Sequence, residues 1–464
     1  MAAYWCTPSA HAQTYSWQWG RSLASGDDEM VSGVAMDDTT GAVYSCGFTK
    51  SSGLISGTLG NILGSQDAFL FKHDVNGTQQ WAFTPSGTGN SSAASVALDA
   101  DGNVYVCGWF NGSIDLHGNS AVGSGTVATS GTYDWFIASY TPSGTLRWRA
   151  KLGGGNQDQP VGLDVGPNGV YVFGTVIGTI STSFGSMSPS LTNKRNLVIV
   201  GYGLNGTGQW LVSGGSGDNE IPLAITADND RLYAAFRAKT SPFKWYGPTG
   251  TELTSHTSAN DWELRISGFT TGAAHVWTTS LIENNSSNIG AAGMAAGCDA
   301  LYLTGITHSP CTFPGVGAVS TGTHDLFYLG RMDPANGQFT WVTSGTTTGS
   351  DHTIGGTGVT IGKSGVVHVI GNFKDNLTIG STTLTSSNSR VQPFVASFRP
   401  TGFVVRAEKL TSSKDAWGNS IDADGQGRIV LGGRYEDDIS CPSVPLTGPS
   451  DLNGFLFRGS LGSP

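Results

Sequence analysis

Two acidic pairs have the residue types and spacing to hold a cation. Asp27–Asp28 lies in "SGDDE" and Asp218–Glu220 in "SGDNE", each putting carboxylates one or two positions apart in a glycine-containing loop. Oxygen-rich loops of this kind suit a hard ion, so Ca2+ is the one cofactor the residues suggest. Both pairs belong to a wider recurrence. Asp27, Asp28, Asn90, Asn156, Asp158, Asp218, Asn219, Asn285, Asp351 and Asp415 all fall eight to ten residues after a recurring anchor, described below. An Asx turn, in which the side chain accepts backbone N–H bonds, also predicts such recurrence, and it predicts it in every copy. A metal site would instead concentrate carboxylates in one or two loops. "DADGN" (99–103) and "DADGQG" (422–427) resemble a calcium loop but lack the length and terminal Glu of an EF-hand, and they read as hairpin turns.

Nucleophilic catalysis needs a base in register with an activated nucleophile. His11, His73, His117, His256, His275, His308, His324, His352 and His368 are scattered through the chain without such a partner. His352, in "GSDHTIGG", falls in a loop expected near a channel mouth and is retained as a candidate ligand contact. Exposed aromatics are the other candidates. Phe243, Trp245 and Tyr246 cluster in "RAKTSPFKWYGPTGTEL", and Trp109 and Phe110 hold the comparable place in an earlier copy. Rings of this kind contact sugars or proteins when exposed, or cover the flank of their own sheet when buried. No catalytic residue is assigned.

These residues sit on a repeat. Trp19, Trp81, Trp148, Trp210, Trp277 and Trp341 follow one another, with Arg406 in the next place, at intervals of 62, 67, 62, 67, 64 and 65. Each unit opens with an alternating apolar strand and a turn, as in "DAFLFKHDVNGTQQW", "DWFIASYTPSGTLRW" and "NLVIVGYGLNGTGQW". A small-residue strand such as "ASVALDADGN" follows, then a strand with a recurring aromatic: Tyr44, Tyr105, Tyr171, Tyr233 and Tyr302, replaced by His368 and Ile429 in the last two copies. A variable stretch of about 20 residues completes the unit. Strand patterns at a fixed period mark an array of β-units. The small-residue strand suits a crowded axis and the aromatics a widening gap further out.

The chain opens on one strand, "TYSWQWGRSL", and ends on three. The sequence therefore predicts an all-β, seven-bladed β-propeller of four-stranded antiparallel blades over residues 14–464, with the N-terminal strand as outer strand of the last blade. That arrangement leaves no open sheet edge between the termini. Residues 1–13 read as a leader or signal remnant ending in an Ala-His-Ala triplet.

"GNVYVCGWF", "DAFLFKHDVNGTQQW" and "GGSGDNE" resemble the bacterial seven-bladed propeller repeat of secreted and surface proteins, the SBBP or beta-propeller repeat. "NLTIGSTTLTSSNSRVQPFVASFRPTG" is similar to its Thr-rich version in Bacteroidetes exported proteins. The resemblance implies fold and export, and carries no shared catalytic residues. The pairs Gly77–Trp81, Gly144–Trp148, Gly206–Trp210 and Gly337–Trp341 also match the blade motif of quinoprotein dehydrogenases, where the Trp docks blades. That match implies packing and no quinone. Sialidase-type Asp boxes use a shorter Gly–Trp spacing, from which this chain departs.

Composition narrows the partners. Net charge is −10, only 12% of residues are charged, and Gly accounts for 68 of 464. A nucleic-acid partner would call for a basic stripe. No apolar run reaches 18 residues, so no membrane-spanning helix is expected. The sequons "NGT", "NGS" and "NLT" agree with a secreted or cell-surface location. Cys46 and Cys107 occupy equivalent places and read as small buried residues, while Cys298 and Cys311 are close enough in sequence for a local disulfide. The function these features favour is a non-catalytic binding or adhesion module for a glycan or a surface protein. The alternatives are a propeller-type lyase or glycosidase, and a structural subunit of a surface layer or filament that self-associates through its N-terminal segment.

Overall fold

The computed structural model describes residues 13–50, 65–120, 123–178, 180–182, 185–187, 194–239, 242–257, 262–283, 290–297, 299–308, 311–319, 325–347, 355–386 and 389–462. The chain is all-β and its strands pair antiparallel. Seven principal sheets are present among the described residues. Each begins with a small-residue strand: Glu29–Met36, Ser91–Leu98, Gln159–Gly166, Ile221–Ala227, Gly290–Gly297, Gly355–Ile361 and Ala416–Ala423. In each of the first six sheets the next strands follow in chain order. In the seventh, Ala416–Ala423 pairs with Arg428–Cys441, which pairs with Val444–Leu461, and the N-terminal strand Tyr15–Leu23 pairs antiparallel with that last strand.

These strands are buried on both faces, unlike the half-wet strands of an ordinary antiparallel sheet. Val43–Thr49 and Asp134–Tyr140 are almost wholly buried. The reason is that each sheet is packed between two others. Side chains of opposite parity enter different cores: Tyr105 and Cys107 join Leu163 and Val172 of the third sheet, whereas Val104 and Val106 join Tyr44 and Leu70 of the first. A further core joins Val430 and Leu456 of the seventh sheet to Val31 and Phe69 of the first. The first strands pack side by side in the same succession, Glu29–Met36 lying against both Ser91–Leu98 and Ala416–Ala423. The arrangement is propeller-like.

The recurring Trp joins neighbouring sheets. Its indole Nε1 donates to a turn carbonyl of the next sheet: Trp19 to Val75, Trp81 to Pro142, Trp148 to Leu204, Trp210 to Thr271, Trp277 to Pro334 and Trp341 to Pro400, at 3.0–3.1 Å. The turn glycine is what the ring lies against. Gly206 has φ +84, and a Cβ there would come within 2.6 Å of the Trp148 ring. So each turn glycine receives the indole of the preceding unit, while the Trp four residues later docks on the following one.

Arg406 breaks the series for a structural reason. The seventh sheet draws its last two strands from opposite ends of the chain, so no turn joins them to offer a carbonyl. Other bonds hold that junction. Trp17 Nε1 donates to Glu408 Oε1 at 2.9 Å, and Arg406 pairs with the same carboxylate at 3.2 Å. Tyr15 Oη lies 2.5 Å from Ser397 Oγ, which His368 Nδ1 meets at 2.7 Å.

One expectation is extended and one is corrected. Five of the seven principal sheets among the described residues have four strands, and in the other two a variable stretch adds a hairpin to the preceding sheet. Phe243–Tyr246 and Glu252–His256 extend the third sheet to six strands by pairing with Gly208–Gly215, and Cys311–Phe313 with Gly317–Val319 extend the fourth likewise. In addition, the partner register aligns Val430, not Ile429, with the recurring aromatic: Asp422 faces Val430 as Ala97 faces Tyr105. Cys46 and Cys107 are fully buried. Cys298 falls outside the described residues, and residues 1–12 do as well.

Candidate functional site

Every first strand carries a β-bulge, between Val31/Gly33, Ala93/Ser95, Pro160/Gly162, Pro222/Ala224, Ala291/Gly293, Gly356/Gly358 and Gly418/Ser420. Counting from the bulge puts Ala35, Ala97, Asp164, Thr226, Ala295, Thr360 and Asp422 at one level. All seven line a central cavity of about 420 Å3. Bulges re-aim strands and are frequent beside functional sites.

Among the described residues two carboxylates, Asp164 and Asp422, therefore face the cavity, and both are hydrogen-bonded. Asp164 Oδ2 accepts from Thr226 Oγ1 at 3.0 Å and from Ala227 N at 2.8 Å, reaching into the fourth sheet. Asp422 Oδ2 accepts from Met36 N at 2.8 Å in the first sheet, and its Oδ1 from Thr360 Oγ1 at 3.1 Å in the sixth. Deep placement raises both carboxyls above the ordinary range, Asp422 to about 6. Their side chains keep partial access to the cavity. Asp422 ties sheets with both oxygens, whereas Asp164 does so with Oδ2 alone, its Oδ1 accepting from Val165 N in its own strand at 2.8 Å. Among the described residues no backbone ladder joins the first strands of neighbouring sheets, so these side chains supply a link between them.

At the end of the cavity where the first strands begin, a second set of carboxylates caps the loops that link one sheet to the next. Glu29 accepts from Ser25 N at 3.1 Å and Thr49 Oγ1 at 2.9 Å. Glu220 accepts from Ser216 N at 2.9 Å and from the Ser216 hydroxyl. Asp158 accepts from Gly154 N at 2.6 Å and Ile177 N at 2.8 Å. Burial pushes Glu29 and Glu220 up to about 7 and Asp158 to about 6.

The acidic pairs are not brought together. Asp27 and Asp28 lie where the seventh sheet meets the first, and Asp28 pairs with Lys50 at 2.8 Å. Asp218 and Glu220 lie between the third and fourth sheets, where Glu220 is turned into its own loop. Among the described residues no group of three or more His, Cys, Asp or Glu converges as a ligand set. Asp99 and Asp424 are turn residues: Asp99 accepts from Asp101 N and Asn103 N, and Asp424 from Gln426 N and Arg428 N.

The aromatic cluster is corrected in part. Phe243 and Trp245 are fully buried, because their hairpin seals the seam between the third and fourth sheets. Trp245 packs edge-on to Phe236 and Phe269, and its Nε1 donates to Ser267 Oγ at 3.0 Å. They are core residues and not exposed contacts. Tyr246 is half-buried beside them. Trp109 is half-buried at the mouth, edge-on to Tyr133 at 4.9 Å, while Phe110 is buried. His352 lies outside the described residues, as do His11, His324, Asn285 and Asp351.

Trp109 has counterparts that the sequence pattern did not reveal. It faces Ser92, one residue ahead of the bulge. At the same level Arg237 faces Ile221 in the fourth sheet and Arg434 faces Trp417 in the seventh. Arg237 and Lys239 lie 5.3 and 5.4 Å from the Trp262 ring, and Arg434 lies 4.4 Å from Trp417. All of these side chains are partly exposed. One rim thus carries three aromatic platforms, two of them flanked by cations.

No family model matches the chain. The regulatory protein FlaEY of Caulobacter vibrioides is 30% identical over 113 residues, which are 24% of this chain and 12% of that protein. Among solved structures, quinohemoprotein alcohol dehydrogenase from Comamonas testosteroni is similar with TM-score 0.42 and 11% identity, covering 97% of this chain and 77% of that one. Saccharomyces cerevisiae Sqt1 is similar with TM-score 0.40 and 9% identity over 97% and 99% of the two chains. Rhamnogalacturonan lyase YesW gives TM-score 0.33 and 11% identity over 94% and 84%.

Proposed function

We propose that the sheets form a closed seven-bladed propeller, with Tyr15–Leu23 completing the last blade, and that the protein is an exported, non-catalytic module binding a glycan at one rim. Ring closure is supported by the core shared between the seventh and first sheets and by the Trp19 bond to Val75. The binding reading is carried by one observation: partly exposed aromatics of three separate sheets, Trp109, Trp262 and Trp417, stand toward the same end, with Trp109 and Tyr133 edge to edge. A pyranose presents an apolar C–H face that stacks on such rings while its hydroxyls stay wet. Low charge content and the sequons support export.

A glycan array with the purified chain tests this. Specific hits lost in Trp109→Ala, with an unchanged melting temperature, support it. Capture of a protein in a pull-down without any glycan hit points to the protein partner instead. Depolymerisation of a bound polysaccharide overturns the non-catalytic reading.

A further inference from the structure

Resting on that binding reading, we infer that the ligand is a neutral, linear glycan of at least three units, laid across consecutive seams with its sugars on Trp417, Phe48 and Trp109.

Strand register places these rings. One residue ahead of the bulge, Trp417 faces Arg434 in the seventh sheet, Phe48 faces Met30 in the first and Trp109 faces Ser92 in the second. Each projects into the seam that follows its own sheet. Trp417 and Arg434 share the side of Val430, which packs on Val31 and Phe69 of the first sheet. Phe48 shares the side of Tyr44 and Cys46, which pack on Ala93 and Val96 of the second. Trp109 shares the side of Tyr105 and Cys107, which pack on Leu163 and Val172 of the third. All three rings are partly exposed. In the other four sheets this level carries no ring: Thr175 faces Gln159, Arg237 faces Ile221, Ile306 faces Gly290 and Asn372 faces Gly355. A ring needed only to wedge sheets together would recur around the whole array, as the docking Trp does. These rings instead occupy adjacent seams, forming an arc on one side of the mouth, while Trp262 stands apart on a third strand of the fourth sheet.

The groups beside the arc suit hydroxyls. Trp109 faces the start of the third sheet, where Asn156, Gln157 and Gln159 are exposed, and Gln157 bridges to Tyr133 through the backbone. Amide side chains both donate and accept, as sugar hydroxyls do. At the Trp417 end the charges offset one another: Lys50 pairs with Asp28 at 2.8 Å, and Arg434 has Asp28 and Glu436 nearby. A pyranose stacks its C–H face on one ring. A chain reaches the next ring as an intramolecular step, so affinity climbs with length until every platform is filled.

The test is titration of the full chain with dimers and hexamers of neutral cello-, laminari-, manno- and xylo-oligosaccharides, with alginate hexamers as the charged comparison. Expected is a neutral series whose hexamer binds about tenfold or more tightly than its dimer. Trp109→Ala and Trp417→Ala, at the two ends of the arc, should each remove most of that gain. Gln157→Ala/Gln159→Ala alters only exposed side chains, guards against misfolding, and should weaken the hexamer several-fold, with circular dichroism melting as the control. Equal affinity of dimer and hexamer overturns the arc and leaves the glycan function standing. Tighter binding of the alginate hexamer than of any neutral one overturns the ligand class. Hexamer binding untouched by all these variants overturns this site. No binding in any neutral series, with hits elsewhere on a glycan array, overturns the inference alone; no glycan binding of any kind removes both.

Discussion

At the residue scale the Gly–x–x–x–Trp spacing is a relay between neighbours. Each glycine is the seat of the previous indole, and each indole reaches the next seat. Two demands meet at that glycine: positive φ, and no Cβ beneath a ring. Gly206 faces both, with φ +84 and Trp148 atoms 2.6 Å from where a Cβ would sit. Gly206→Ala is expected to destabilise the fold by roughly 2–4 kcal/mol, through left-handed strain and a displaced indole. Ala273, with φ 71, already stands in the equivalent turn under Trp210, so Ala273→Gly should cost little. Urea unfolding of the two variants checks the contrast; equal effects would mean that the indole does not rest on the turn. The Trp series was readable from the sequence because both halves of the relay recur at a fixed interval. Its failure at Arg406 was not, since it depends on which sheet lacks a turn.

At the element scale the variable stretches change meaning. A long polar insertion on a repeat scaffold invites a functional reading. Here Phe243–Tyr246 and Glu252–His256 instead extend the neighbouring sheet and cover its outer edge, which would otherwise be open for pairing. The sequence could not disclose this, because the strand being covered lies in the preceding unit. Trp245→Ala should therefore cost about 3–5 kcal/mol of stability, as expected for a buried aromatic that also loses its bond to Ser267. A contact residue would show the reverse, lost binding with an intact melting temperature, and thermal melts with glycan titration separate the two. The cavity acids were hidden differently. "LD" at 98–99 and at 163–164 look equivalent. Asp99 faces no strand partner and closes a turn, whereas Asp164 pairs opposite Tyr171 and lines the cavity. Only the bulge register tells them apart. The rim aromatics were hidden for the same reason: Trp417 lies on a first strand opposite Arg434 and Trp262 on a third strand opposite Lys239, and only the pairing brings both to the same end.

At the scale of the whole molecule, the seams between sheets are closed by buried carboxylates, and these make stability depend on pH. Burial raises Glu29 and Glu220 to about 7 and Asp158 and Asp422 to about 6. A carboxyl that is harder to ionise in the folded state favours folding fully while it is protonated in both states, below about pH 4. That contribution is lost as pH rises through the folded value, because the unfolded chain ionises first. Histidines act in the opposite sense. His73, His275 and His368 are held near 4 by desolvation, so they weaken the fold only as pH falls below about 6.5, when the unfolded chain gains protons. The two effects separate between about pH 7 and 8, where the histidines are mostly neutral in both states and Glu29 and Glu220 still titrate in the fold. In that window the melting temperature should fall as pH rises. Glu29→Gln/Glu220→Gln removes both titrations while keeping an acceptor oxygen for Ser25 and Ser216, and should flatten most of the slope. Melting curves at constant ionic strength decide it. A wild-type melting temperature that is level or rises across the window would show that these caps are ionised and well solvated in the folded protein, and that the loops between sheets are held by something other than neutral carboxyls.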